Sequence, residues 1–109
     1  MDSRLFVMAD QLLLIERELR LLGWWAAEAP PAEALASQQP FCVDTLSFEA
    51  WLQWVFLPRM KQLLESAGPL PSASGIREMA EMSYQGRESQ VRELLAALGE
   101  FDRLIGSAR

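Results

Sequence analysis

The sequence predicts an all-α protein: a compact bundle of four principal helices around a kinked central helix. Apolar residues recur at three- and four-residue steps along most of the chain, which is the period of a helix face. Glycine and proline fall between the periodic stretches, where they are typical of turns. Half of the 109 residues are hydrophobic, which is enough for a core without disulfides. We therefore expect residues 1–109 to form a single helical domain.

The first helix is predicted over residues 3–22 and ends at Gly23. Its apolar stripe comprises Leu5, Met8, Leu12, Ile15, Leu19 and Leu22, widened by Phe6 and Leu13. Such a stripe is typical of a core face, and a surface for a partner helix is the alternative. Of the adjacent Trp24 and Trp25, we expect one to close the core and the other to lie on the surface or cover a loop.

A long connection follows over residues 26–46. Pro30 and Pro31 predict a short helical turn that runs through Ala36, because proline suits the first helical position. Beyond it, the alternation of Phe41, Cys42 and Val43 predicts an extended segment that packs on the body of the protein. Cys42 among apolar neighbours is typical of a small buried hydrophobe, and a reactive thiol is the alternative.

The central helix is predicted from Ser47 to Ser66, with the Ser47 hydroxyl as N-cap and Glu49 in the first turn. At about 100° per residue, one broad face collects most of its large apolar side chains. That face comprises Phe48, Trp51, Leu52, Val55, Phe56 and Leu63, whereas Trp54 and Leu57 lie well off it. A helix so widely apolar is expected at the centre of the bundle.

Two residues interrupt this helical pattern. Pro58 has no amide hydrogen and crowds the carbonyl of Trp54, so we expect a kink there with the carbonyl left free. Arg59 falls near the centre of the apolar face, where a guanidinium must reach solvent or find an anion. Asp44, just before the helix, is the expected ion-pair partner, and an arginine that serves a ligand or a partner is the alternative.

Two further helices follow the turn-rich residues 67–75. The first is predicted from Ser74 to Tyr84, with Ile76, Met79, Ala80 and Tyr84 facing inward. The second is predicted from Arg87 to Ile105, and Gly99 lowers its intrinsic helix propensity.

Composition excludes several classes of function. A net charge of −5 argues against direct nucleic-acid binding, which depends on basic surfaces. The chain has no histidine and one cysteine, so we expect no histidine-based catalysis, no metal site and no cofactor. The N-terminus has no signal-peptide pattern and no stretch is long and apolar enough to span a membrane. A cytoplasmic location fits these features.

The run QPFCVDTLSFEAWLQWVFLPRMKQLL, Gln39 to Leu64, resembles the signature of the YqcC-like family, a bacterial domain of unknown function. The match covers the QPF, DT, WLQWV, PRM and LL elements, and departs at Ala50, where the pattern often has Glu. The resemblance implies a small all-α domain and brings no established activity or functional residues. The family's genes often neighbour that of tRNA pseudouridine synthase C, which implies a link to RNA modification.

Two functions from different classes fit these residues. The first is a non-enzymatic binding or accessory protein, whose partner surface holds Trp51, Trp54, Pro58, Arg59 and Met60, since Trp and Arg are enriched at binding hot spots. The resemblance implies a tRNA pseudouridine synthase as the partner, and the protein itself is expected to be a monomer or weak homodimer. The alternative is a small-molecule-binding protein or unusual enzyme, with Asp44, Thr45, Gln53 and Arg59 around an apolar floor.

Overall fold

The computed structural model describes residues 4–66 and 75–106. Five helices and no strand occur within these ranges. They are α1 (Arg4–Leu21), α2 (Ala32–Leu35), α3 (Phe48–Trp51, Leu52–Phe56 and Leu57–Ser66 in succession), α4 (Ile76–Ser83) and α5 (Arg92–Gly106). The predicted all-α bundle is confirmed, with α1, α3, α4 and α5 as its principal helices. The predicted starts at Ser3 and Ser74 lie outside the described residues.

One hydrophobic core joins the four long helices. From α1 it takes Met8, Leu12, Ile15 and Leu19, and from α5 Leu94, Leu98, Phe101 and Ile105. The helix α1 packs mainly on α5 and α3. Its first residue, Arg4, donates from Nη1 to the carbonyl of Leu104 at 2.9 Å, so α1 and α5 are antiparallel.

The start of α4 is held by α5. The Asp102 carboxylate accepts hydrogen bonds from the backbone amides of Ile76 (3.2 Å) and Arg77 (2.9 Å). These are first-turn amides that have no acceptor within their own helix. Gly99 leaves room for the Arg77 side chain, because a Cβ at Gly99 would lie 2.7 Å from Arg77 Nη1. Gly99 therefore serves helix packing, and α5 continues through it.

The central helix begins as predicted, since the Ser47 hydroxyl accepts from the Ala50 amide at 3.2 Å. Its middle, Leu52–Phe56, is π-helical, and the Leu57 amide donates to the Leu52 carbonyl five residues back. This segment ends two residues before Pro58. The predicted irregularity thus takes the form of one extra residue in the turn that approaches the proline.

The extra residue changes which side chains face the core after Phe56. Leu57 and Met60 are buried, with 1% and 6% of their surface exposed, and Arg59 is exposed. The predictions that Leu57 lies off the core and that Arg59 lies near the centre of its face were therefore wrong. Regular α-helical spacing assigned the inward position to Arg59, and the π turn passes it to the next residue, Met60.

The segment that crosses in front of α3 is not extended, contrary to the prediction. It forms a 3₁₀ turn, Pro40–Cys42, in which Phe41 and Cys42 have left-handed φ angles of 59° and 49°. Few non-glycine residues adopt this conformation. The turn is stabilised by the Cys42 carbonyl, which accepts from the amides of Thr45 and Leu46. Cys42 is buried, as predicted for a small hydrophobe.

The two adjacent tryptophans after α1 are both half-buried against the core. Trp24 stacks on Tyr84 with ring centroids 5.1 Å apart. Trp25 lies under the guanidinium of Arg20, at 4.5 Å from its carbon to the ring centroid. The predicted division into one core and one surface tryptophan is replaced by two rings at the core boundary.

Candidate functional site

An apolar groove of about 320 Å³ opens beside the central helix. Side chains from the crossing segment, α3, α4 and α5 form its walls. Its lining residues are Pro40, Phe41, Trp51, Val55, Phe56, Arg59, Met60, Ile76, Phe101 and Ile105. A concave surface of this size with few polar groups is typical of a binding site.

Packed aromatic rings form the groove's floor. The Trp51 ring has its centroid 4.8 Å from that of Phe41 and 5.5 Å from that of Phe56. Phe56 in turn makes an edge contact with Phe101, at 5.2 Å. Edge and offset contacts at these separations are favourable for aromatic pairs. Because rings from the crossing segment, α3 and α5 fix one another, the groove exists before anything binds.

Among the residues that the structure describes, Arg59 is the only charged side chain that lines this groove. It is exposed and makes no ion pair among the described residues. The predicted pair with Asp44 is therefore wrong. Asp44 Oδ1 instead accepts a hydrogen bond from the Ser37 hydroxyl at 2.5 Å. The π turn is the physical reason, because it leaves the Arg59 guanidinium in solvent. A solvated guanidinium does not need a carboxylate partner to compensate for burial.

Asp44 and Thr45 hold the crossing segment in place. Thr45 Oγ1 donates to the Ala34 carbonyl of α2 at 2.8 Å, while Asp44 binds Ser37 just beyond that helix. Both residues are exposed, and neither lines the apolar groove. Asp44 and Thr45 therefore do not share the groove with Arg59, although the sequence predicted a common site.

Gln53 forms a clamp on the loop after α1. Its Oε1 accepts from the Ala26 amide and its Nε2 donates to the Ala26 carbonyl, both at 2.8 Å. Gln53 is the one buried polar side chain in the described core, with 5% of its surface exposed. Because both ends of its amide are occupied, Gln53 serves to fix this loop against α3.

Trp54 and Pro58 form a second surface on α3. Trp54 is half-buried, and it is absent from the set of partly buried residues that pack on the core. Pro58 is exposed. Each directly precedes a groove residue, Val55 or Arg59, so the two lie on the neighbouring strip of the helix. Met60, the remaining predicted site residue, is buried in the groove wall.

Sequence reasoning missed a polar contact between two helices. The hydroxyl of Tyr84 donates to Glu49 Oε1 at 3.0 Å and ties α4 to the start of α3. Burial and the adjacent Glu49 carboxylate raise the pKa of Tyr84 far above its usual value. The phenol therefore stays protonated at neutral pH and acts as a donor. Glu49 had been assigned only to the helix dipole, and nothing local in the sequence pointed to a partner 35 residues away.

Within residues 4–66 and 75–106, no group of three or more acidic or cysteine side chains could hold a metal ion. Among the helices described there, none is sufficiently long and apolar to cross a bilayer.

Comparisons with known proteins bear on both fold and family. The structure is similar to the solution NMR structure of YqcC from Escherichia coli, with a TM-score of 0.86 and 32% identity. That match covers 99% of this chain and 92% of the other. By sequence, the chain is 37% identical over 95 residues to YqcC of Escherichia coli, covering 87% of each. A Haemophilus influenzae protein named only as uncharacterized is 39% identical over 98 residues, 90% of this chain and 89% of that protein.

A third relative is much longer than this chain. The Pectobacterium carotovorum protein named tRNA pseudouridine synthase C is 40% identical over 90 residues, which are 83% of this chain and 24% of that protein. The family pattern that matches residues 7–104 is DUF446, described as tRNA pseudouridine synthase C. None of these matches supplies an established activity for the small domain itself. Taken together with the helical fold, they mean that the chain belongs to the YqcC-like family, DUF446.

Proposed function

We propose that this protein is a non-enzymatic accessory domain that binds a tRNA pseudouridine synthase. The docking surface is the apolar groove beside α3, with Arg59 at its edge and Trp54 and Pro58 on the adjoining strip. In this proposal the domain contributes binding and leaves the chemistry on RNA to its partner.

The observation that carries the proposal is the match to the Pectobacterium carotovorum protein. There the related stretch occupies 24% of a chain named tRNA pseudouridine synthase C, so about three quarters of that chain lie outside the related stretch. Two domains that share one chain in one organism are natural candidates for a complex when they are separate chains elsewhere. The domain is then a companion of the synthase.

The surface chemistry supports a protein partner over RNA. The net charge of −5 disfavours contact with a phosphate backbone and complements an enzyme with a basic RNA-binding surface. The groove offers aromatic rings and the guanidinium of Arg59, the residue types enriched at binding hot spots. An apolar side chain of the partner would fill the groove, and a neighbouring carboxylate would meet Arg59.

The small-molecule alternative requires Asp44, Thr45, Gln53 and Arg59 to lie together around the groove, and they do not. Asp44 binds Ser37, Gln53 is fully occupied by Ala26, and Arg59 is the only one of the proposed polar groups that reaches the groove. The described residues therefore assemble no general acid–base pair there.

The proposal is tested with the purified tRNA pseudouridine synthase of the same organism, titrated calorimetrically with this protein. Arg59→Glu should weaken the complex at least tenfold by opposing the partner's carboxylate, and Trp54→Ala should do so by removing a hot-spot ring. Arg92→Glu is the matched control, because it makes the same charge change at an exposed site near the start of α5, away from the groove.

The expected result is that Arg92→Glu binds like the wild type while the two α3 variants do not. Failure of the wild type to bind the synthase at about 100 µM would refute the proposed partner. Equal loss of binding in Arg59→Glu and Arg92→Glu would show a general charge effect and refute the groove as the docking surface.

A further inference from the structure

The helix α1 has a second apolar face that is exposed. Phe6 and Leu13 are 65% and 62% exposed, and Leu21 is 72% exposed. Val7 and Leu14 are exposed beside them, at 42% and 37%. These five are most of the large apolar side chains that the described residues leave in solvent, and all lie on one helix. A contiguous apolar surface of this kind marks an interaction site more often than a random surface does.

The exposed face lies directly opposite the buried one. At about 100° per residue, Met8, Leu12, Ile15 and Leu19 cluster around one direction, and the exposed set clusters roughly 180° away. Two charged residues, Asp10 and Arg17, lie within the exposed set, one on each side of its middle. We call the surface formed by Phe6, Val7, Asp10, Leu13, Leu14, Arg17 and Leu21 the outer face of α1.

The outer face is nearly symmetrical about the bond between Leu13 and Leu14. Asp10 and Arg17 stand three residues from the nearer of these two leucines, on opposite sides of the bond. Phe6 and Leu21 stand at equal distances further out. A two-fold axis through this point would place Asp10 of one chain opposite Arg17 of the other, twice. It would also place Phe6 opposite Leu21 twice, and Leu13 opposite Leu14.

We propose that the outer face of α1 binds the same face of a second copy of this chain, with the two helices antiparallel. The charge pattern selects this arrangement. In a parallel pair, Asp10 would meet Asp10 and Arg17 would meet Arg17, and both contacts are repulsive. A shift by one residue in either direction would set Asp10 opposite Glu16 or Glu18. Of these arrangements, the antiparallel register centred on the Leu13–Leu14 bond is the one that pairs Asp10 with Arg17 and Phe6 with Leu21.

The free chain leaves both charges available for this contact. Asp10 is exposed, and the Arg17 side chain is 64% exposed, with only a 3.4 Å contact to its neighbour Glu18. The outer face spans about 22 Å of helix from Phe6 to Leu21. One helix pair is a small contact beside the roughly 800 Å² per partner of a standard interface, so we expect a weak dimer.

The test is analytical ultracentrifugation between about 10 µM and about 1 mM. The wild type should shift from monomer to dimer across this range. Asp10→Arg alone and Arg17→Asp alone should each stay monomeric, because each places two like-charged pairs at the interface. Mixing these two variants should restore association as a heterodimer, since every facing pair then has opposite charges. The double variant with both charges exchanged should form a homodimer again.

The control is Met82→Gln, which removes an equally exposed apolar side chain, 73% exposed, from α4. It should dimerise like the wild type, and circular dichroism should show unchanged helix content in all variants. The proposal fails if the wild type remains monomeric throughout the concentration range. It fails equally if either single charge reversal dimerises as the wild type does, or if the mixture of the two stays monomeric.

Discussion

Trp51 and Trp54 lie three residues apart on α3 and have different surroundings. Trp51 contacts the rings of Phe41, Phe48 and Phe56 and is packed against the core. Trp54 makes no ring contact with any described residue and does not belong to that packed set. The two tryptophans therefore differ in how closely they are packed with the rest of the core.

This difference predicts unequal effects on stability. Trp51→Ala should lower the free energy of unfolding by about 2–4 kcal/mol, because it removes the ring at the centre of the aromatic contacts. Trp54→Ala should lower it by about 1 kcal/mol or less. Urea denaturation of both variants measures the difference. Equal destabilisation would mean that Trp54 is a structural residue and would remove it from the proposed docking surface.

Individual residues also show which contacts can be predicted from the sequence and which cannot. The N-cap at Ser47 follows from a local rule, and it was predicted correctly. The Gln53 clamp depends on a backbone segment 27 residues away, and no local pattern specifies such a partner. Its glutamine type indicated a polar role, and only the fold reveals that this role is structural.

At the scale of elements, the four long helices were predictable because each has a periodic apolar face, although α5 begins at Arg92 and not at the predicted Arg87. Which side chains of α3 point toward the core after Phe56 was not predictable. The helical pattern assumes 3.6 residues per turn, and the π turn adds one residue to it. Pro58 predicted an irregularity in the helix but did not specify a π turn. The groove depends on that extra residue, which turns Met60 inward and leaves Arg59 at the rim.

A polar contact joins α1 to α3 beside the core. Glu16 accepts from Lys61 Nζ at 3.2 Å and from Arg20 Nε at 3.1 Å. Partial burial raises the pKa of Glu16, and the hydrogen bonds and positive charges of Lys61 and Arg20 outweigh it, so the net pKa is lowered. A carboxylate with a lowered native pKa stabilises the fold above its unfolded pKa of about 4.3 and loses that contribution as pH falls through the native value.

Glu16→Gln should therefore lower the free energy of unfolding by about 0.5–1 kcal/mol near pH 7, a modest value because Lys61 is partly exposed. The difference from the wild type should shrink as pH falls below the unfolded pKa of about 4.3, and it should vanish once the pH is below the lowered native pKa. Thermal melts across this range provide the measurement. Glu65→Gln, an exposed change on the same helix as Lys61, is the control. A difference that is constant with pH would contradict the electrostatic origin.

At the scale of the whole molecule, the four long helices share one core. Each of these helices buries its inner face against at least one other helix. Hydrogen bonds of Tyr84, Asp102 and Gln53 also join different elements. We expect residues 1–109 to unfold as a single cooperative unit. Scanning calorimetry should give a calorimetric enthalpy equal to the van't Hoff enthalpy. A ratio well above one would mean that the chain contains two separately melting parts.

The stacked pair of Trp24 and Tyr84 gives the chain an optical property of its own. Tyr84 is the only tyrosine, and its ring centroid lies 5.1 Å from that of Trp24. At such a separation the excitation energy of a phenol passes to an indole before it can be emitted. The native protein should therefore emit as if it had no tyrosine. A tyrosine band would appear when the protein unfolds and Tyr84 separates from the tryptophans, which gives an unlabelled fluorescent signal for unfolding.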